Sequence, residues 1–312
     1  MSRYADLRER LANGGVILDG GLGTMLIARG LQSGAPPEQW NHSQPATLQS
    51  VHKAYLEAGS DIISTNTFGA SPSRLQTHGL DDQLRSINTA GVKLARAAVT
   101  EFCDSKRGGR AADTQDQVVT PVKFVALSLG PTGKMLPPVG QASEDEIREE
   151  FTEQIRSIDA SFDLVLIETV YDLREGIAAL QVAKHLLGQP VAVSLTYNVN
   201  PRGFFTVMGD EAAAAVKRLE EAGADVVGAN CSLSSGEMID LARLLRRTTD
   251  LPILCQPNAG NPKMSDRVPV YDQTPGDFAE DALRIFEAGA NAVGGCCGTT
   301  PDFIRELSTR LR

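Results

Sequence analysis

The chain has 312 residues, 42% of them hydrophobic, and its 30 Lys and Arg against 39 Asp and Glu leave a net charge of −9. Such an acidic balance gives no long-range attraction for nucleic acid or anionic membrane, and no run of about 18 apolar residues is present to span a bilayer. The first ten residues are charged and lead into no apolar signal core, so the sequence reads as a soluble, cytoplasmic protein with no nucleic-acid and no membrane partner.

Taken in order, short apolar runs alternate with helical periodicity. A run at 16–19 precedes an irregular loop at 29–45, which holds the only tryptophan, Trp40, and then a helix at 48–58. A run at 61–67 is followed by a helix at 83–102. Residues 105–117 then form a polar, charged, Gly-containing insertion, expected to be exposed and mobile. Further runs at 123–129, 164–168, 191–197, 226–230, 253–256 and 292–295 are followed by helices at 144–160, 173–187, 210–222, 236–247, 275–288 and 302–311. Ser143 with Glu146 reads as a capping box, and Pro275 suits a first helical turn. Gly59, Gly188, Gly223 and Gly289 are expected to close helices in the left-handed conformation.

The runs are rich in Val, Ile and Leu without strict alternation, as strands covered on both faces should be. Eight such units predict one α/β domain over 1–312, a (β/α)8 TIM barrel. The alternative is a doubly wound open sheet. It would carry a dinucleotide turn after its first strand. The Gly-rich run Asp19-Gly20-Gly21-Leu22-Gly23-Thr24 lacks the GxGxxG spacing, and no helix is expected directly after it.

Active sites of such barrels lie at the C-terminal ends of the strands. Those ends read Asp19-Gly20-Gly21, Thr65-Asn66-Thr67, Glu168-Thr169, Asn230-Cys231, Gln256-Pro257-Asn258 and Gly294-Gly295-Cys296-Cys297-Gly298. An odd five cysteines in a long chain argue against a disulfide scaffold. Three of them, Cys231, Cys296 and Cys297, fall on one rim. Adjacent strand residues point to opposite faces, so Cys296 and Cys297 can reach one ion only where the backbone leaves strand geometry, which the flanking glycines permit. Three thiolates suit Zn2+ and leave its fourth position open, as in a catalytic site. A redox pair of Cys296 and Cys297 would leave Cys231 unexplained. Cys103 and Cys255 read as packing residues, and none of the four histidines falls at a strand end.

These segments resemble the homocysteine-binding domain family, the homocysteine S-methyltransferases. The resemblance rests on the Asp19–Thr24 run, Thr65-Asn66-Thr67-Phe68, Ile167-Glu168-Thr169, Gly228-Ala229-Asn230-Cys231 and Gly294-Gly295-Cys296-Cys297-Gly298-Thr299, in the family's order along nearly the whole chain. Gly130-Pro131-Thr132-Gly133, Pro37-Glu38-Gln39-Trp40-Asn41 and Gln256-Pro257-Asn258-Ala259-Gly260 look most like the homocysteine module of cobalamin-dependent methionine synthase. The resemblance implies a zinc-dependent S-methyltransferase that makes methionine from homocysteine, with Cys231, Cys296 and Cys297 as metal ligands. It implies Asn258 as a possible fourth ligand in the substrate-free state. It further implies Asp19 and Glu168 against the substrate ammonium, and the backbone around Gly20 and Thr65 against its carboxylate. The methyl donor would be a separate methylcorrinoid protein or, in the alternative, a small sulfonium such as S-methylmethionine. The chain departs from the betaine-using members, whose aromatic cage takes a quaternary ammonium: Gly69 and Thr169 stand where tyrosines would. A reading from another class is a non-catalytic zinc- or thiol-binding barrel, which would need neither Asp19 nor Glu168.

Overall fold

Strands with two apolar faces need cover on both, and the chain supplies it by closing the sheet on itself and ringing it with helices. The computed structural model describes residues 3–32, 34–108, 122–265 and 268–312. Its eight barrel strands are β1 (Val16–Ile17), β2 (Ile62–Ser64), β3 (Phe124–Leu129), β4 (Leu164–Val170), β5 (Val191–Leu195), β6 (Val226–Ser234), β7 (Ile253–Asn258) and β8 (Ala292–Val293). All neighbours pair parallel, in the order β1-β8-β7-β6-β5-β4-β3-β2. The two ends of that row meet. Leu18 bridges Ile62, the Asp19 N–H donates to the Ile62 carbonyl at 3.0 Å, and the Asp61 N–H donates to the Ile17 carbonyl at 2.7 Å. The fold is therefore a (β/α)8 barrel, and the open-sheet alternative is removed.

Side-chain parity along the strands separates two cores. Leu164, Leu166, Ala126, Ala192, Val226 and Leu254 point inward and pack together, whereas Val165, Ile167, Leu127, Val193, Val227 and Ile253 face the helices. Cys255 belongs to the outer set and is buried, as a packing residue should be, and Cys103 packs at the edge of that set. The outer ring is α1 (Pro45–Ala58), α2 (Leu84–Gly108), α3 (Glu144–Arg156), α4 (Leu173–Leu186), α5 (Ala212–Glu221), α6 (Ser235–Thr248), α7 (Pro275–Glu287) and α8 (Pro301–Leu311). The Ser143–Glu146 capping box opens α3, and Thr274 caps α7 with Pro275 in its first turn. Gly59 ends α1 at φ +114°, but α4 ends on the extended Leu187, so Gly188 is not the left-handed cap that its position suggested.

Several elements differ from the sequence expectation. A helix, Arg3–Asn13, precedes β1 and inserts Leu7 and Leu11 into the inward-facing core at the N-terminal end of the barrel. Its Arg3 pairs with Asp163 at 2.9 Å. A short helix, Leu22–Ile27, does follow the glycine run directly, and the loop at 29–45 contains the 3-10 turn Pro37–Gln39 and the helix Trp40–Ser43. Two hairpins stand over the rim, Asn198–Asn200 with Gly203–Phe205 and Lys263–Ser265 with Val268–Val270. Of the segment at 105–117, residues 105–108 complete α2 and residues 109–117 lie outside the described residues. No helix among the described residues is long and apolar enough to cross a membrane.

Candidate functional site

Above the apolar floor of the barrel the inward positions turn polar, and they surround a cavity of about 370 Å³ open at the C-terminal rim. Asp19, Ser64, Thr65, Ser128 and Glu168 line one side; Cys231, Gln256, Cys296 and Cys297 line the other. No Lys, Arg or His lines it among the described residues. The predicted candidates therefore converge, although they come from six different strand ends.

The three sulfurs lie within 4.8 Å of one another. A tetrahedral zinc with Zn–S bonds near 2.3 Å would space them about 3.8 Å apart, so the set fits such an ion with small side-chain adjustment. Local backbone geometry makes the convergence possible. Cys231 and Ser232 have φ of +61° and +55°, and the pairing of β6 with β7 breaks between Asn230 and Ser234. This turns the Cys231 side chain into the cavity where regular strand geometry would not. On β8 the chain leaves the sheet at Gly294, where a Cβ would sit 2.6 Å from Leu18 Cβ and 2.7 Å from the Asp19 carbonyl. A Cβ at Gly295 would overlap the Thr299 side chain. Cys296 and Cys297 are then held by their own backbone: the Cys296 N–H donates to the Pro257 carbonyl at 2.8 Å, the Ala259 N–H donates to the Cys297 carbonyl at 2.9 Å, and the Cys297 N–H donates to Asn258 Oδ1 at 3.1 Å. The buried Asn258 thus stands beside the sulfurs.

Held this close together, the three sulfurs do not ionise alike. Hydrogen bonds from Cys296 and Cys297 hold the Cys231 thiol down to about 3, and that thiolate pushes Cys297 up to about 11 and Cys296 well above the thiol range. Three thiolates held this close repel one another, and a cation bound among them would offset that repulsion.

Of the two carboxyls opposite, Asp19 is buried and Glu168 partly buried. Asp19 is 1% exposed; it accepts the Ser64 N–H at 2.7 Å and the Ser64 hydroxyl at 3.1 Å. Burial nevertheless pushes it up to about 7 against those bonds. Glu168 accepts the Ser128 hydroxyl at 2.5 Å; burial, then the nearby Asp19 and Cys231, push it up to about 7 as well. Neither has an ion-pair partner among the described residues. Two such groups facing a cluster of three sulfurs make a pocket suited to a bound ammonium.

Thr65 and Gly20 both line the cavity, but they are not equivalent. The Thr65 N–H donates to the Ala126 carbonyl at 2.9 Å, and its hydroxyl accepts the Ser128 N–H at 3.0 Å and pairs with the Thr67 hydroxyl at 2.6 Å. Thr65 therefore ties β2 to β3 and has no donor to spare. The N–H groups of Gly20 and of the neighbouring Asn66 donate to no protein acceptor among the described residues. Residues without an assigned role in the sequence reading also emerge. Ser64 and Ser128 orient the carboxyls, and their inward parity with Ile62 and Ala126 was the available signal. Thr299, fully buried, donates to the Cys296 carbonyl at 2.6 Å and accepts the Gly21 N–H at 2.9 Å, so it joins the glycine run to the cysteine pair.

The family model for homocysteine S-methyltransferase matches residues 16–311. Methionine synthases from Mycobacterium leprae (strain TN) and Mycobacterium tuberculosis (strain ATCC 25618 / H37Rv) are 33% and 32% identical to the chain over 98% of its length. The chain spans 25% of the length of each of these curated relatives. Among solved structures, the metallated form of the homocysteine methyltransferase MmuM from Escherichia coli superposes with a TM-score of 0.77 at 23% identity, covering 95% of this chain and 96% of that one. The carboxyl transferase domain of Rhizobium etli pyruvate carboxylase shares the barrel at a TM-score of 0.54 and 12% identity.

Proposed function

The chain belongs to the homocysteine S-methyltransferase family, and from that premise we propose that it is a zinc-dependent enzyme that methylates homocysteine to methionine in the cytoplasm. One observation carries the reading: three sulfurs within 4.8 Å of one another face the Asp19 and Glu168 carboxyls across a cavity that no basic side chain lines among the described residues. The cavity thus has a place for a metal-bound thiol and a place for an ammonium, the two ends of an amino-acid thiol.

Cys231, Cys296 and Cys297 would hold the zinc, with Asn258 reaching the fourth position when substrate is absent. When bound there, zinc keeps the substrate thiol as thiolate at neutral pH, where a free thiol with pKa near ~8.5 is mostly protonated. Asp19 and Glu168 take the ammonium in their ionised form, and substrate entry supplies the positive charge that the empty pocket lacks. The Gly20 N–H, with the Asn66 N–H beside Thr65, receives the carboxylate. With both ends of the amino acid held, the sulfur faces the rim, and the donor must come from there. The new C–S bond forms as the donor's leaving group departs with the electron pair of the broken bond. No side chain has to accept a proton at that step, which accords with a cavity that no histidine lines among the described residues.

The donor we favour is a methylcorrinoid protein, because the runs at 37–41, 130–133 and 256–260 resemble the homocysteine module of cobalamin-dependent methionine synthase. The test is methionine formation from homocysteine by zinc-loaded protein, with methylcobalamin or S-methylmethionine as donor. Turnover with methylcobalamin supports the corrinoid reading. Turnover with S-methylmethionine alone makes this a self-sufficient enzyme using a small sulfonium. Failure to bind homocysteine in a zinc-dependent manner overturns the function and favours a non-catalytic thiol-binding barrel.

A further inference from the structure

Asn230 precedes Cys231, is 1% exposed, and has no part in the reaction as proposed. From β6 its side chain reaches past β5 to the end of β4. Its Oδ1 accepts the Thr169 N–H at 2.8 Å, and its Nδ2 donates to the Thr169 hydroxyl at 2.8 Å. The same Nδ2 lies 3.9 Å from Cys296 Sγ, at the outer reach of an N–H···S hydrogen bond. Its carbonyl accepts the Thr196 hydroxyl at 3.2 Å, which fixes the backbone from which the side chain extends.

The residues joined in this way have unusual backbones. Thr169, Cys231 and Ser232 have φ of +59°, +61° and +55°, the only non-glycine left-handed residues among those described. That region disfavours a β-branched residue such as Thr169, and such a conformation persists only where its surroundings over-determine it. Two hydrogen bonds from one buried amide meet that requirement. The amide also touches the cysteine pair, so a single side chain links the turn that carries Glu168 to the sulfur cluster.

We infer that Asn230 is a positioning residue that fixes the separation between the Glu168 carboxyl and the Cys296 sulfur, and so sets the length of the amino-acid thiol that the site accepts. The inference rests on the reading of Glu168 as ammonium anchor and of the cysteines as metal ligands. A thiol held at both ends must match that separation. If homocysteine spans it, cysteine, one methylene shorter, must give up one end. A single methylene is discriminated by about 10–200-fold in pockets of fixed shape, and the brace keeps the shape fixed.

The experiment uses the full chain loaded with Co2+, whose thiolate charge-transfer band reports the sulfurs directly. Homocysteine and cysteine are titrated into wild type, Asn230→Ala and Thr169→Gly. Wild type is expected to take up one Co2+ and to bind homocysteine at least about tenfold more tightly than cysteine. Asn230→Ala should lose most of that preference, and its band should move to lower energy because Cys296 loses its donor. Thr169→Gly tolerates the left-handed backbone but lacks the hydroxyl acceptor. It should lower the preference while leaving the band in place, and it decides the matter if Asn230→Ala does not fold. A preference unchanged within twofold in folded Asn230→Ala, or in Thr169→Gly where that variant stands in for it, overturns the role of Asn230 alone. A wild-type protein that takes up no Co2+, or whose band ignores homocysteine, overturns the site reading and this inference together.

Discussion

The Ser128 hydroxyl donates to the Glu168 carboxylate at 2.5 Å from the neighbouring strand β3. The bond leaves the second carboxylate oxygen free to meet a ligand, and it aligns the group without neutralising it. Glu168→Gln should raise KM for homocysteine by roughly 10–100-fold, the worth of one hydrogen bond to a charged group, while zinc content stays stoichiometric. Steady-state kinetics beside metal analysis would check this. A KM equal to wild type would remove Glu168 from the substrate site.

Removing one sulfur leaves two, one fewer than the three protein ligands of an open zinc site. Cys231→Ser and Cys296→Ser should each lose zinc and turnover together, with the far-ultraviolet circular dichroism of the barrel unchanged. Metal analysis after dialysis against a weak chelator gives the answer. Full zinc retention by either variant would count against the ligand set.

The pH dependence follows from the two raised carboxyls. Both sit near 7, above their ordinary 3.8 and 4.5, because burial disfavours the charged form. An acid whose folded pKa lies above its unfolded value stabilises the fold fully below the unfolded value and loses that contribution as pH rises through the folded one. The melting temperature of the metal-free protein, taken relative to that of the Asp19→Asn, Glu168→Gln double variant, should therefore fall between about pH 4 and pH 7, the difference cancelling the opposite contributions of Cys231 and His52. Homocysteine affinity should run the opposite way and increase over the same interval, since the ammonium needs ionised partners. Calorimetry at several pH values tests both signs, and parallel trends would show that these carboxyls do not meet the ammonium.

Gly295 packs on Thr299 with no room for a Cβ. Gly295→Ala should push the cysteine loop off Thr299, cost about 1–3 kcal/mol as an overpacked site does, and weaken zinc binding more than it weakens the fold. Competition with a chromophoric chelator, compared with thermal unfolding, separates the two effects.

Leu7 is fully buried beneath the inward-facing core. Leu7→Ala should destabilise the protein by about 2–5 kcal/mol and leave KM and kcat at low temperature unchanged, because the cavity lies at the other end. Denaturant titration measures the first and kinetics the second.

The barrel was legible in the sequence because eight apolar runs alternate with helical periodicity, and strands such as 164–168 satisfy both an inner and an outer core. The sulfur cluster was legible because cysteine is rare and three of five fall on one rim. Its geometry was not: nothing in the letters marks Cys231 as left-handed, a conformation set by the break in pairing between β6 and β7. The orienting serines, Ser64 and Ser128, escaped notice because serine is common and only strand parity singles them out. The N-terminal helix escaped because its apolar content is two leucines four residues apart among charges, which looks like a solvated segment until the barrel mouth is there to receive them.

That helix has a further consequence. With Leu7 and Leu11 stoppering the far end, the barrel is a vessel with one doorway, and everything that reaches the sulfurs passes through the rim. On the function proposed above, the amino acid would bind at the bottom and the methyl donor above it, so the donor could not seat first without blocking the way, and methionine could not leave until the donor's remnant had moved aside. The expected order is then homocysteine first in and methionine last out. Product-inhibition kinetics would display this as methionine competing with homocysteine for the free enzyme and not with the donor.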